Sequence, residues 1–223
     1  MLVLAFPASA GDRHERIGRS VDDRAIRAAV IGDRSSPNVA LVVGCIHGDE
    51  CAGKAVVREL WDLAPLQDVQ VWVIKDLNPD GSTAGTRQNA RAVDLNRNFP
   101  YRWKSYGEPG DRYYPGPRAA SEPETRAAKR FVADLRPDVA VWYHQPLSMV
   151  IRSRGERSIM RRYARKVGLP LRDYKRLPGT AVAWENHRFP NKTAFVVELP
   201  AGPLSERAAR RHARALLEVT RGS

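Results

Sequence analysis

The chain has 223 residues, of which 43% are hydrophobic and 28% charged, so it can bury the core of one sizeable domain and is not read as disordered. No apolar run approaches the roughly 18 residues of a membrane-crossing helix, and no transmembrane segment is expected. The formal net charge of +12 is spread along the chain, densest from Arg152 to Arg162, without a recognisable nucleic-acid module; it reads as solvated helix faces, and no nucleic-acid partner is expected.

Residues 1–10 are apolar and close in the small-x-small triplet Ala8-Ser9-Ala10, ahead of the charged stretch Gly11 to Arg16. This reads as the end of a secretion signal lacking its basic start, which makes export the expectation and a cytoplasmic chain the alternative. Residues 11–223 are then one catalytic domain. Strands are expected at Ala25 to Ile31 and Val39 to Val43, and a helix from Ala52 to Leu63 that stops before Pro65. A strand follows at Val69 to Ile74. After a long loop, Ser121 is expected to cap a helix running to about Leu135, with Glu124 as its capping-box partner. Further strands are expected at Val139 to Tyr143, Leu147 to Ile151 and Ala194 to Leu199, and helices at about Glu156 to Val167 and Ser205 to Arg221. The alternation predicts a three-layer α/β/α fold around a mixed, centrally parallel sheet.

Four of these apolar strands run at their carboxyl ends into polar clusters, ending at His47, Asp80, His144 and Glu198. Parallel strands would bring all four to one edge, where open α/β sheets bind ligands. At the first, His47-Gly-Asp-Glu50 spaces two zinc-type ligands three residues apart. A catalytic zinc takes three protein ligands and keeps one position open, and His144 is the best third candidate. Cys45 and Cys51 flank this pair; a disulfide, plain buried thiols and metal ligation are all open, with ligation last because three ligands exist without them. The loop Arg87-Gln-Asn-Ala-Arg-Ala-Val-Asp-Leu-Asn-Arg-Asn-Phe-Pro100 carries Val93, Leu95 and Phe99 as apolar anchors. It reads as packed on the sheet edge and displaying Asn96 and Arg97, a guanidinium and amide suited to bidentate capture of a carboxylate.

In His47-Gly-Asp-Glu50, Arg87 with Asp94-Leu-Asn-Arg-Asn-Phe-Pro100, His144 and Glu198, the chain resembles the zinc carboxypeptidase family. Its length and the Glu198-Leu-Pro200 ending are closest in character to the bacterial murein peptide amidases of that family. The resemblance implies one zinc ion on His47, Glu50 and His144, with Asn96 and Arg97 binding the substrate's terminal carboxylate. It also implies Arg87 as the stabiliser of the oxyanion and Glu198 as general base, acting on a peptide or murein-peptide substrate. The flanking Phe195, Val196, Val197 and Leu199 are expected to raise the pKa of Glu198 toward useful base chemistry. Ala92 stands where family members often have glycine, and Tyr174 is a weak counterpart of the family's mobile tyrosine. Val182, Trp184 and the turn Glu185 to Arg188 are expected around the substrate side chain. Two other readings remain. The chain also resembles N-acyl amino-acid deacylases of the aspartoacylase and succinylglutamate desuccinylase type, although those carry a further β-rich region after the glutamate. The other is a non-catalytic domain binding an anionic polymer.

Overall fold

The computed structural model describes residues 14–222, so the leader-like segment lies outside the described residues. Strands β1 (His14–Arg19), β2 (Ala25–Gly32) and β3 (Val39–Val43) lead into helix α1 (Gly53–Asp62), strand β4 (Gln70–Ile74) and the short helix α2 (Pro79–Ala84). Then come a single 3-10 turn at Leu95–Arg97, helix α3 (Pro123–Leu135), strands β5 (Val139–His144) and β6 (Leu147–Ile151), and helix α4 (Arg157–Val167). The chain continues through β7 (Leu171–Arg172), α5 (Ala181–Arg188), β8 (Thr193–Pro200) and α6 (Glu206–Arg221).

The strands form one sheet in the order β1-β2-β4-β3-β5-β8-β6-β7. β4, β3, β5 and β8 are mutually parallel, while β1, β2 and β6 introduce antiparallel pairings toward the edges. The central strands are apolar on successive residues because both faces are covered. Val42, Val141, Tyr143 and Val197 pack toward α1, α4 and α6, whereas Leu41, Val43, Ala140 and Trp142 pack toward α3 and α5. This is the expected three-layer α/β/α arrangement with a mixed, centrally parallel sheet.

The differences lie where local signals compete. β1 carries His14, Glu15, Arg16 and Arg19 and is mostly exposed; its charge masks it in the sequence and suits an edge strand that must not recruit another chain. Ser121 does not cap α3: Glu122 holds the N-cap position without a side-chain cap, because Ser121 Oγ donates to Glu122 Oε1 and accepts from Asn98 Nδ2. Glu122 and Glu124 instead both accept from the buried Asn89 Nδ2, at 2.8 and 3.1 Å, which ties the start of α3 to the 87–100 loop. Asp80 turns away from the crevice to bind Ser20 Oγ at 2.7 Å and Arg24 Nη1 at 2.5 Å. The cluster at the end of β4 therefore anchors the N-terminal hairpin and contributes no group to the site.

Ala92 lies in the left-handed region at φ 56° within the turn closed by Asn89. That conformation costs a non-glycine residue about 1–2 kcal/mol. Glycine would remove the strain and give back roughly 0.4–1 kcal/mol through its freer unfolded chain. Ala92→Gly is therefore expected to stabilise by up to about 1 kcal/mol, read as a higher denaturant midpoint at unchanged slope. A lower midpoint would show that the alanine side chain contributes packing that offsets its strain.

Candidate active site

The parallel pairings of β3, β5 and β8 bring their carboxyl ends to one edge, and the register sets His144 directly beside Glu198. His47 follows β3 after a three-residue extension whose course depends on Gly48, since a Cβ there would stand 2.0 Å from the Gly81 backbone. A disulfide joins Cys45 to Cys51 and closes the segment that carries His47 and Glu50, deciding between the three roles open for these cysteines. Gln145 braces the other side, accepting from Ala52 N–H at 3.0 Å and donating to the Pro200 and Gly202 carbonyls at 2.8 Å.

His47, Glu50 and His144 converge. Glu50 Oε2 lies 2.9 Å from His47 Nδ1 and 3.0 Å from His144 Nδ1, and the two Nδ1 atoms are 3.2 Å apart. All three side chains are buried. Asp94, fully buried, faces His47 Nε2 at 2.9 Å. A carboxylate accepts, so Asp94 keeps a proton on Nε2 of His47; in the metal-free group Nδ1 is protonated as well and donates to Glu50, and a bound cation would replace that proton and take the Nδ1 lone pair. Burial opposes ionisation of Asp94, yet the charges and bonds of His47 and then Arg87 hold its carboxyl well below the usual range. Burial likewise opposes ionisation of Glu50, which hydrogen bonds from His144 and His47 overturn. A carboxylate and two ring nitrogens gathered within 4.8 Å, one of them oriented by an outer carboxylate, fit a divalent cation of zinc type.

Arg87 is held across this group. Its Nε donates to Asp94 Oδ2 at 3.0 Å and its Nη1 to Glu50 Oε1 at 2.5 Å, so the guanidinium lies on the wall of the crevice in a fixed pose. Asn96 sits in the 3-10 turn; its Oδ1 accepts from Ala181 N–H at 2.9 Å and its Nδ2 lies 3.3 Å from His144 Nε2. Arg97 donates to the Asn96 carbonyl at 2.7 Å and forms no ion pair among the described residues. The turn is pinned from behind by Gly179, at φ 66°, where a Cβ would stand 2.0 Å from the Arg97 carbonyl oxygen. Glu198 is pushed up to about 7, first by burial and then by the charge of Glu50. The crevice is about 600 Å³ and is lined by Glu50, Arg87, Asn96, Arg97, His144 and Glu198, with His47 just behind.

Two groups at this edge were not legible as site residues. Asp94 orients His47 and Arg87 from within the loop motif. Tyr113, 48% exposed, places its ring 5.2 Å from the Arg87 guanidinium and 5.3 Å from that of Arg97. The side-chain pocket also differs from expectation. Val182 lines it with Ala183 and Asn186, but Trp184 packs into the core against Phe99 at 5.7 Å and Glu185 is buried against Trp142 Nε1 at 2.9 Å. Residues 185–188 are the second half of helix α5, not a turn. Tyr174, 44% exposed, stands on the crevice wall.

Residues 12–181 match the zinc carboxypeptidase family. The chain belongs to the zinc carboxypeptidase family. It is 32% identical over 174 residues to murein peptide amidase A of Vibrio campbellii, covering 72% of this chain and 68% of the relative. The match to murein peptide amidase A of Escherichia coli K12 is 34% identical over 128 residues and spans about half of each chain, 52%. Among solved structures, the murein-tripeptide amidase of Escherichia coli O157 superposes with a TM-score of 0.69 at 30% identity, over 97% of this chain and 93% of that one. Carboxypeptidase A of Helicoverpa armigera shares the fold, with a TM-score of 0.79 at 18% identity, over 94% of this chain and 68% of that one. Membership makes the chain a zinc-dependent hydrolase of the metallopeptidase type. The matched family segment holds every proposed ligand and arginine, while Glu198 lies beyond it and enters the site through its pairing with His144.

Proposed function

We propose that this protein hydrolyses the amide bond next to a free carboxylate in murein-type peptides, with zinc held by His47, Glu50 and His144. The observation that carries this reading is the meeting, at one sheet edge, of that ligand group, a raised carboxyl at Glu198, and Arg97 without an ion-pair partner among the described residues. The relatives named for murein peptides support the substrate class. The disulfide, suited to an oxidising compartment, supports the reading that the chain acts outside the cytoplasm.

Bound zinc supplies Lewis acidity that polarises the scissile carbonyl and acidifies water. Glu198, on the adjoining strand, takes the proton of the attacking water and returns it to the leaving amine. Arg87, already oriented by Asp94 and Glu50, lies where negative charge on the former carbonyl oxygen needs a donor. Arg97 and the remaining amide hydrogen of Asn96 clamp the terminal carboxylate and place the scissile bond over the ligand group.

An arginine–carboxylate contact in a partly buried site is worth on the order of 2–5 kcal/mol when one partner is removed. The wild-type enzyme is therefore expected to cleave a substrate with an amidated terminus far more slowly than the free acid. Arg97→Ala should largely erase that difference, whereas Arg87→Ala should slow both forms. Equal wild-type kcat/KM for acid and amide would move the reading to an internal amidase or a deacylase.

A further inference from the structure

Away from the crevice, the positive charge of the chain gathers on one layer of the fold. Helices α4 and α6, of 11 and 16 residues, together carry ten arginines and lysines against two glutamates, which is eight of the formal net charge of +12. They pack side by side in opposite directions: Lys166 Nζ meets Glu218 at 2.9 Å, and Arg162 Nη2 donates to the Gly222 carbonyl at 3.1 Å. Each helix turns its apolar stripe to the core, through Ile159, Met160 and Tyr163 on α4 and Ala213, Leu216 and Leu217 on α6, so the cations stand outward. Beside them lies a groove of about 620 Å³ lined by Lys166, Arg207, Arg210, Arg211 and Arg214, with Glu206 and Glu218 as its acids.

Two of these cations are matched, Lys166 by Glu218 and Arg210 by Glu59 at 2.7 Å. Arg207, Arg211 and Arg214 form no ion pair among the described residues, and neither do Arg157, Arg161 and Arg165 of α4. Arg157, Arg161 and Arg165 recur every four residues, as do Arg207 with Arg211 and Arg210 with Arg214, and like charges at that spacing repel and weaken a helix. Solubility alone is served better by interspersed signs. The arrangement is complementary to a linear polyanion: the four-residue repeat sets a cation about every 6 Å along the helix, and guanidinium forks match phosphate oxygens in pairs. Neither a bilayer nor a nucleic acid suits the face as well. The exposed large apolar side chains, Tyr106, Tyr113, Leu147 and Tyr174, all lie outside α4 and α6, so nothing there enters a membrane and no ring is offered to a base. His212 is buried beneath the arginines and pushed down to about 4 by that burial, so it adds no charge near neutrality.

We propose that the groove on α6 beside α4 binds a linear polyol-phosphate polymer, a phosphodiester chain without bases, with Arg207, Arg211 and Arg214 as its main contacts. The groove and the catalytic crevice share no lining residue, so the polymer holds the enzyme in place and leaves the crevice open. The inference goes beyond hydrolysis and applies equally to the zinc-free chain.

Fluorescence anisotropy of labelled poly(glycerol phosphate) with the full chain tests it. Binding is expected at low ionic strength, with log K falling linearly against log salt and steady across neutral pH. Arg207→Gln combined with Arg211→Gln and Arg214→Gln, all exposed changes, should weaken it by about tenfold or more and reduce the salt slope by roughly 2–3, with the melting temperature near wild type. Arg118→Gln combined with Arg130→Gln and Arg136→Gln removes the same charge around α3, again at exposed residues without ion pairs, and should weaken binding far less. No binding, or equal losses in the two triple variants, would overturn the proposal. So would tighter binding of oligothymidylate with the same number of phosphates, or of phosphatidylglycerol vesicles. Hydrolysis of a small peptide by the zinc-loaded enzyme should continue at an unchanged rate with the polymer at saturation; inhibition would seat the polymer in the crevice and sink the separate site. If the chain hydrolyses no peptide, the binding measurements still decide the matter.

Discussion

His144→Ala is expected to yield a folded chain that retains no zinc through dialysis and has no measurable hydrolase activity. His144 ends β5, and its Nδ1 stands 3.0 Å from Glu50 and 3.2 Å from His47, so its removal leaves two ligands in a group built for three. Among the described residues no other histidine, cysteine, aspartate or glutamate joins this group, and the Cys45 and Cys51 sulfurs are spent on each other. Loss of an outer-shell partner alone costs about 10–100-fold in metal affinity. That is the drop expected for Asp94→Asn, which keeps the shape of the group but no longer fixes the proton of His47 or the charge beside Arg87. Losing a direct ligand should exceed it. Elemental analysis of the purified variants, with far-UV dichroism as the check on folding, orders the three proteins. Full zinc retention by His144→Ala would remove that residue from the ligand set.

What the sequence made legible follows from how each element is stabilised. β3, β5 and β8 are buried on both faces, so their composition is continuously apolar and their carboxyl-end residues His47, His144 and Glu198 stand out as polar groups in the wrong company. Elements held by particular partners were hidden. Helix α5 has eight residues, buries Trp184 and Glu185 on one side and gives Val182 and Ala183 to the crevice, so its pattern shows no single apolar stripe. Its one local signal is Thr180, whose hydroxyl accepts from Ala183 N–H at 3.4 Å. Ser121 offered a capping signal that was misleading, because Asn98, 23 residues away in sequence, claims its hydroxyl.

The site shows the same division. Ligand spacing is local and chemical, so His47 and Glu50 could be read together. Asp94 meets His47 across 47 residues of sequence, and Tyr113 reaches Arg87 and Arg97 from a loop without periodicity. Such contacts leave no trace in spacing or composition. The strand ends were correctly gathered at one edge in three of four cases, and the exception is physical. Asp80 is stabilised more by Ser20, the Asp22 N–H and Arg24 than it would be in a crevice already holding the carboxylates Glu50 and Asp94.

Glu198→Gln is the change expected to separate the proton transfer from metal binding. The amide keeps the size and reach of the side chain beside His144 and can still accept from the Leu147 N–H, 3.5 Å away, so zinc content and fold should match the wild type. It cannot take a proton. A general base typically contributes 10²–10⁴-fold, and kcat should fall by at least roughly that range. The pH profile supplies the second signature. Burial, followed by the charge of Glu50, pushes the Glu198 carboxyl up to about 7, so the working carboxylate forms as pH rises through that value and is lost as pH falls through it. Activity should therefore climb with pH along an acid limb. Zinc adds positive charge close by, offsets Glu50, and moves that limb below 7 in the loaded enzyme. In Glu198→Gln the limb should vanish from whatever turnover remains. A variant that holds zinc and turns over near the wild-type rate, with the limb intact, would assign activation of the water to another group.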